Sequence, residues 1–314
     1  MQRKPIITVT LNPCYDRTVN IARFEYGGTN AVLSVQRDTS GKGINVSTVL
    51  NHLGYDTVCM GLMYSKGKDD FNKFFAGEKL RSDFVEVQGS VRENIKIFDE
   101  SAKTMTEFNE KGSVAAEETV RAVMKKIESA VASSSLVVLS GSVPPGFPKT
   151  IYAEIIRKCA DAGVRVILDA SKEFLLEGIR EKPFLIKPNI DELQTIAAKK
   201  IESENEVIAE AKKISETGIA YVCVSLGKNG CILVSGDCAF KAPAMDIEEA
   251  GIQGAGDSLV AGLCAAITDG AEEEAYLRYA TAAASASIML PGTQLCLKKD
   301  FDALFPLVAV QRIV

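Results

Sequence analysis

Four short apolar runs constrain the fold more than any other feature of the sequence. LVVLSG (136–141), VRVILDAS (164–171), FLIKPN (184–189) and YVCVSLG (221–227) each open on a stretch rich in β-branched residues and end in polar or turn-forming ones. Continuous runs of this kind suit strands buried on both faces. Charged helical patterns, PKTIYAEIIRKCADAG and ENEVIAEAKKISETG, separate most of them. Strand–helix–strand alternation predicts a mostly parallel sheet covered by helices. ITVTLN (7–12) reads as a further strand, and INVSTVLNHLG (44–54) as a helix ending at Gly54.

Two stretches break the alternation. Residues 16–38 and 87–109 alternate polar and apolar side chains, as strands with one wet face do. They predict a small β unit made of two insertions that meet over one face of the main sheet as a lid. With no repeat or long linker, residues 1–314 read as one domain.

The chemistry open to the chain is limited by what it lacks. Lys and Arg number 36 and Asp and Glu 41, a net charge of −5, so no global attraction to nucleic acid or an anionic membrane is expected. No apolar run has the length of a membrane span or a signal peptide, and the expected location is the cytoplasm. The 8 cysteines include no C-x-x-C pair and read as small buried hydrophobes. A single histidine, His52, falls near a helix end and reads as solvated or cap-proximal. Acid–base work therefore falls to carboxylates or lysines.

The polar strand ends place Asp169, Lys187, Asn189, Glu192, Ser225 and Gly227 near one rim of the sheet, where open α/β sheets bind ligands. GAGDSLVAGLCAAI brings Gly254, Ala255, Gly256 and Asp257 to the mouth of a helix. Free N–H groups and the dipole there attract an anion, and a capped, closely packed helix is the alternative. SGKGINVSTVL repeats that grammar with Gly41, Lys42 and Gly43, without P-loop spacing. Two such mouths suggest two phosphorylated ligands, or one ligand and a phosphate in transfer. In KPNIDEL, Asn189 and Glu192 share a helical face. They suit either a water-held Mg²⁺ or a plain N-cap with a first-turn acid.

Together these pieces resemble the ribokinase-like (PfkB) carbohydrate kinases, within them the 1-phosphofructokinase and tagatose-6-phosphate kinase branch. TVTLNPCYDRTV, SGKGINVSTVLNHLG, RENIKI, TEFNEKG, LSGSVPPGFP, DASKE, KPNIDEL, VSLGKNG, GAGDSLVAGL and PGTQLC carry the resemblance in order. It implies a three-layer αβα core with a β lid, ATP and Mg²⁺ as cofactors, and phosphoryl transfer to a ketohexose phosphate. Fructose 1-phosphate comes first and tagatose 6-phosphate second. A sugar-phosphate-binding protein with weakened catalysis is the rival. The resemblance implies Asp257 as base, with Gly254, Ala255 and Gly256 as an anion hole. It puts Asp16, Gly41, Gly43 and Asn45 at the sugar hydroxyls, and Lys42 and Arg92 on the sugar's phosphate. Lys187, Ser225, Gly227 and Gly230 would border the nucleotide, and Asn189 and Glu192 would hold Mg²⁺ through water. A helix-mouth position predicts a lowered pKa for Asp257. The chain departs from the family at Thr39-Ser40, where glycine is usual, and at Ile252-Gln253, where Thr-Val is usual. Exposed lid strands suggest a homodimer through the lid.

Overall fold

The computed structural model describes residues 4–251 and 253–314. Its first strand, β1 (Ile6–Thr10), leads into β2 (Cys14–Ile21) and β3 (Val32–Ser40), and then into α1 (Lys42–His52). β4 (Thr57–Lys66), α2 (Lys68–Gly77) and β5 (Arg81–Ser90) form a βαβ unit, followed by β6 (Arg92–Asp99) and β7 (Thr104–Asn109). The predicted alternation then runs α3 (Glu117–Val131), β8 (Leu136–Ser140), α4 (Ile151–Asp161), β9 (Arg165–Asp169), α5 (Lys172–Ile179) and β10 (Leu185–Ile186). α6 (Ile190–Ala197), α7 (Glu204–Glu216), β11 (Tyr221–Ser225), β12 (Cys231–Ser235) and β13 (Cys238–Ala242) precede α8 (Ala255–Asp269). α9 (Glu273–Ile288), α10 (Lys298–Leu304) and the short β14 (Gln311–Arg312) close the chain.

Ten strands form one sheet in the order β14-β13-β12-β11-β10-β9-β8-β1-β4-β5. Pairing is parallel from β5 to β11 and antiparallel beyond it, through β12, β13 and β14. Alternate residues of the strands feed two apolar layers. Ile7 and Val9 of β1 join the layer containing Phe71, Val123, Ile155, Leu193 and Val207 from α2, α3, α4, α6 and α7. Ile6 joins Val46 and Leu50 of α1, Val260 of α8 and Leu277 of α9 on the other face. This is the expected three-layer αβα arrangement, and among the described residues no helix is long and apolar enough to cross a membrane. α8 and α9 approach so closely that a Cβ on Gly262 would lie 2.4 Å from the Tyr279 carbonyl oxygen.

A second sheet, ordered β3-β2-β6-β7, stands apart from the first. It draws on both predicted insertions, but residues 87–90 belong instead to β5, which pairs along β4 in the large sheet. Apolar–polar alternation looks alike on a half-covered edge strand and on a small exposed sheet. The eight cysteines are free, and all but Cys238 are buried. His52, the last residue of α1, is cap-proximal, one of the two expected readings, and is mostly buried rather than solvated. Its Nδ1 meets the Cys296 carbonyl oxygen at 2.8 Å and its Nε2 the Glu78 carboxylate at 2.7 Å.

Candidate active site

A cavity of about 900 Å³ opens between the small sheet and the carboxyl ends of β1, β8 and β9. Its chemical centre is the mouth of α8. Gly254, with φ 74°, caps the helix, and its missing Cβ makes room for Leu295 Cδ2, 2.5 Å from where that atom would stand. At Gly256 a Cβ would meet nothing within 4 Å, so the helix presents bare backbone to the cavity there. The amides of the first turn have no intrahelical acceptor, which makes this mouth a seat for an anion. Asp257 sits in that turn, buried, and accepts from Asn45 Nδ2 at 2.8 Å. Ala255 is off the cavity wall.

The expectation of a lowered Asp257 pKa is overturned. Burial pushes the carboxyl up to about 6; Lys42 pulls it down and Asp169 pushes it up again. One turn of helix dipole does not offset the loss of water around a nearly enclosed carboxylate. Asp169, at the end of β9, goes the other way. Burial would raise it, but Lys187 and Lys42 outweigh that and hold it at about 2. Lys42 Nζ lies 3.0 Å from Asp169 Oδ2, Lys187 Nζ 3.1 Å from Oδ1, and Ser140 donates to Oδ2 at 3.1 Å. Burial works to lower the Lys42 pKa, but Asp169 and Asp257 more than reverse it, so Lys42 is a fixed cation at the cavity wall.

The second glycine mouth is built for packing more than for a ligand. A Cβ on Gly43 would fall 2.7 Å from the Val9 carbonyl oxygen, so this glycine lets α1 lie against β1 and is absent from the cavity wall. Gly41 does line the cavity but is also pressed against Thr10, 2.8 Å from its absent Cβ. Ser40, the departure from the family pattern, is buried at the end of β3.

The small sheet turns one face to the cavity. Asp16 of β2 is paired in register with Asn94 of β6, whose Nδ2 donates to Asp16 Oδ1 at 3.0 Å. Lys96 Nζ lies 3.1 Å from Asp16 Oδ2 and donates to Gln253 Oε1 at 2.8 Å. Arg92 gives its guanidinium to three neutral acceptors, the Asn12 and Glu110 carbonyls and Asn94 Oδ1, so its charge remains available to an anion. Sequence reasoning missed Asn94, Lys96 and Gln253 as site residues. The signal was present: Arg92, Asn94 and Lys96 of RENIKI recur with period two, which puts them on one face of a strand.

The residues expected around the nucleotide are not on this wall. Lys187 is buried against Asp169, and Ser225 is bridged to Asn189 across the carboxyl ends of β10 and β11. Gly227 (φ 57°) and Gly230 (φ 88°) shape the turn after β11, where a Cβ on Gly230 would strike the Ala242 carbonyl oxygen at 2.0 Å. Asn189 and Glu192 form a capping box at α6: Glu192 N donates to Asn189 Oδ1 at 2.8 Å and Asn189 N to Glu192 Oε2 at 3.0 Å. Glu192 alone of the pair borders the cavity.

A family model for pfkB family carbohydrate kinases matches residues 9–300. The chain belongs to this family. As a carbohydrate kinase, the protein is a phosphotransferase acting on a sugar hydroxyl. It is 32% identical to the 1-phosphofructokinase of Bacillus subtilis (strain 168) over 98% of this chain and all of that one. It is 33% identical to the 1-phosphofructokinase of Escherichia coli (strain K12), covering 90% of each chain. Among solved structures, phosphofructokinase-2 from Escherichia coli, in complex with substrates and products, superposes with a TM-score of 0.91 at 25% identity, covering 97% of this chain and 99% of that one. A possible 1-phosphofructokinase from Thermotoga maritima gives 0.89 at 26%, covering 98% and 99%.

Proposed function

We propose that the protein transfers the γ-phosphoryl group of ATP to the free primary hydroxyl of fructose 1-phosphate, giving fructose 1,6-bisphosphate. The observation that carries this reading is Asp257, buried at a bare helix mouth with Lys42 and Asn45 around it and a polar sheet face opposite. A carboxylate with a pKa of about 6 is a better base than an ordinary aspartate and is still mostly ionised at neutral pH. Asn45 aims it. The first-turn amides of α8 face the equatorial oxygens of the phosphoryl group in transfer, and fixed dipoles of this kind cost no reorganisation during the reaction. Lys42, expected on the sugar's phosphate, lies instead against Asp169 and is felt by Asp257, so we assign it to neutralising charge at the transfer point. Asp16 takes the sugar hydroxyls, and Arg92, with only neutral partners, takes the phosphate already on the sugar.

Among the described residues, no group of three or more His, Cys, Asp or Glu side chains could cage a metal. The residues fit Mg²⁺ held mainly by phosphate and water. Glu192 has one oxygen committed to the cap and one left, whereas the Asn189 carbonyl oxygen is already used. Bound there, Mg²⁺ would offset charge on the nucleotide phosphates. Lys187, Ser225, Gly227 and Gly230 shape the β10–β11 rim beside the cavity, which we assign to the nucleotide.

A coupled ADP-release assay tests the reading with fructose 1-phosphate, fructose 6-phosphate, tagatose 6-phosphate, fructose and ribose. Fructose 1-phosphate is expected to give the highest kcat/KM. A higher value for tagatose 6-phosphate reassigns the substrate, and no ADP release with any sugar leaves a binding protein. We further propose a homodimer through the small sheet, whose outward face carries exposed Val35, Ile95 and Phe108.

A further inference from the structure

Gln253 stands directly before the glycine mouth of α8. Its side chain points across the cavity opening. Gln253 Oε1 accepts from Lys96 Nζ at 2.8 Å, and the same ammonium lies 3.1 Å from Asp16 Oδ2. Lys96 is nearly buried, with 11% of its side chain exposed, so it depends on these acceptors in place of water. The loop that carries Gln253 is braced from below. Ala250 N and Gly251 N both donate to the Ile288 carbonyl, and a Cβ on Gly251 would lie 3.1 Å from the carbonyl oxygens of Leu290 and Gly292. A second point of contact with the small sheet lies nearby, where a Cβ on Gly292 would sit 3.1 Å from Gln36 Oε1 of β3.

We propose that Gln253 is a positioning residue that fixes the small sheet over the α8 mouth through Lys96, setting the separation of Asp16 and Asp257. The inference rests on the kinase reading above, in which the sugar spans those two carboxylates. Transfer demands that the accepting hydroxyl reach Asp257 while the remaining hydroxyls stay on Asp16. Asp16 lies on β2 of the small sheet and Asp257 on α8 of the body, so their spacing is only as firm as the contacts between the small sheet and the body. Lys96 bonds to both sides, so one ammonium ties the sugar-holding carboxylate to the loop that ends in the phosphate seat. A valine at 253 offers no acceptor. Gln253 acts through Lys96 and touches neither the reacting oxygen nor the phosphoryl group. Loosening the tie therefore weakens the hold on the sugar while the nucleotide end is left alone.

The test compares the wild type with Gln253→Val, Gln253→Glu, Lys96→Met and the double variant Lys96→Met/Gln253→Val. Gln253→Val is expected to raise the phosphosugar KM about tenfold with the ATP KM within about twofold. Gln253→Glu, which keeps an acceptor, is expected to return KM close to wild type. In the Lys96→Met background Gln253→Val is expected to add nothing, because the partner is already gone. Hydrogen–deuterium exchange of the 92–99 segment is read in parallel and is expected to rise in Gln253→Val and not in Gln253→Glu. Equal exchange and equal KM in Gln253→Val and wild type would overturn the proposal. So would an undiminished effect of Gln253→Val on top of Lys96→Met. Should the wild type phosphorylate no sugar phosphate, the kinase reading fails, and the exchange comparison alone decides whether Gln253 holds the small sheet.

Discussion

Asp257 is costly to keep charged, and both its chemistry and its stability should show it. The base must be ionised to accept the hydroxyl proton, so kcat/KM is expected to fall as pH drops through about 6. Lys42 lowers the Asp257 pKa, so Lys42→Met should move this acid limb to higher pH as well as cutting kcat. A limb that stays in place in that variant would detach it from Asp257. Asp257→Asn keeps the acceptor for Asn45 but removes the proton acceptor, and is expected to abolish transfer with ATP affinity within about threefold, read by nucleotide titration. The linkage runs the other way for folding. A carboxyl whose pKa is raised on folding is destabilising once pH exceeds its unfolded value near 4, with the penalty fully present above about 6. Asp257→Asn should therefore raise the thermal midpoint by a few degrees at pH 7.5 and leave it nearly unchanged at pH 4, as differential scanning calorimetry can check.

Secondary elements show which parts of the molecule could be read from the chain. β8, β9 and β11 were legible because strands covered on both faces need continuous apolar runs, and they have them. β10 shrinks to Leu185–Ile186 because Pro188 follows closely and lacks the N–H that would extend the ladder. β5 has exposed and half-buried residues at the sheet edge, and its period-two pattern carries no mark of which sheet it joins. KPNIDEL encodes a helix start whatever else it does, and the structure shows both side chains engaged in capping. Asn189→Ala should cost about 1 kcal/mol of stability and raise the Mg²⁺ concentration needed for half-maximal activity, by leaving Glu192 unanchored. Asn189→Ser, which restores the cap, should recover both. If it recovers stability without the Mg²⁺ response, the amide itself serves the metal. The spacing of Asn189 and Glu192 was therefore readable as a pair, but their division of labour depends on which oxygens the cap consumes.

At the scale of the molecule, the small sheet is turned inside out. The register places Asp16, Asn94, Lys96, Glu107 and Asn109 on the face that lines the cavity. The opposite face carries Val19, Val35, Ile95, Ile97 and Phe108, flanked by Arg17, Arg37 and Glu93. The sequence displayed this alternation but not its direction, since period two is the same whichever side is wet. In an isolated molecule the apolar face would meet water, with Val35 49% and Phe108 54% exposed. A sheet face of this kind is stable when another surface covers it. A second copy offers a self-complementary one, because a two-fold axis stacks like on like, and the neighbouring Arg17 and Arg37 are already paired with Glu93 of their own sheet. Sedimentation velocity should then give a dimer at micromolar concentration, and Phe108→Lys or Val35→Lys a monomer. The monomer should bind the phosphosugar more weakly than ATP by comparison with wild type, since Asp16 and Arg92 lie on the back of the strands that the partner steadies. A wild-type monomer at those concentrations would leave the apolar face without its proposed cover.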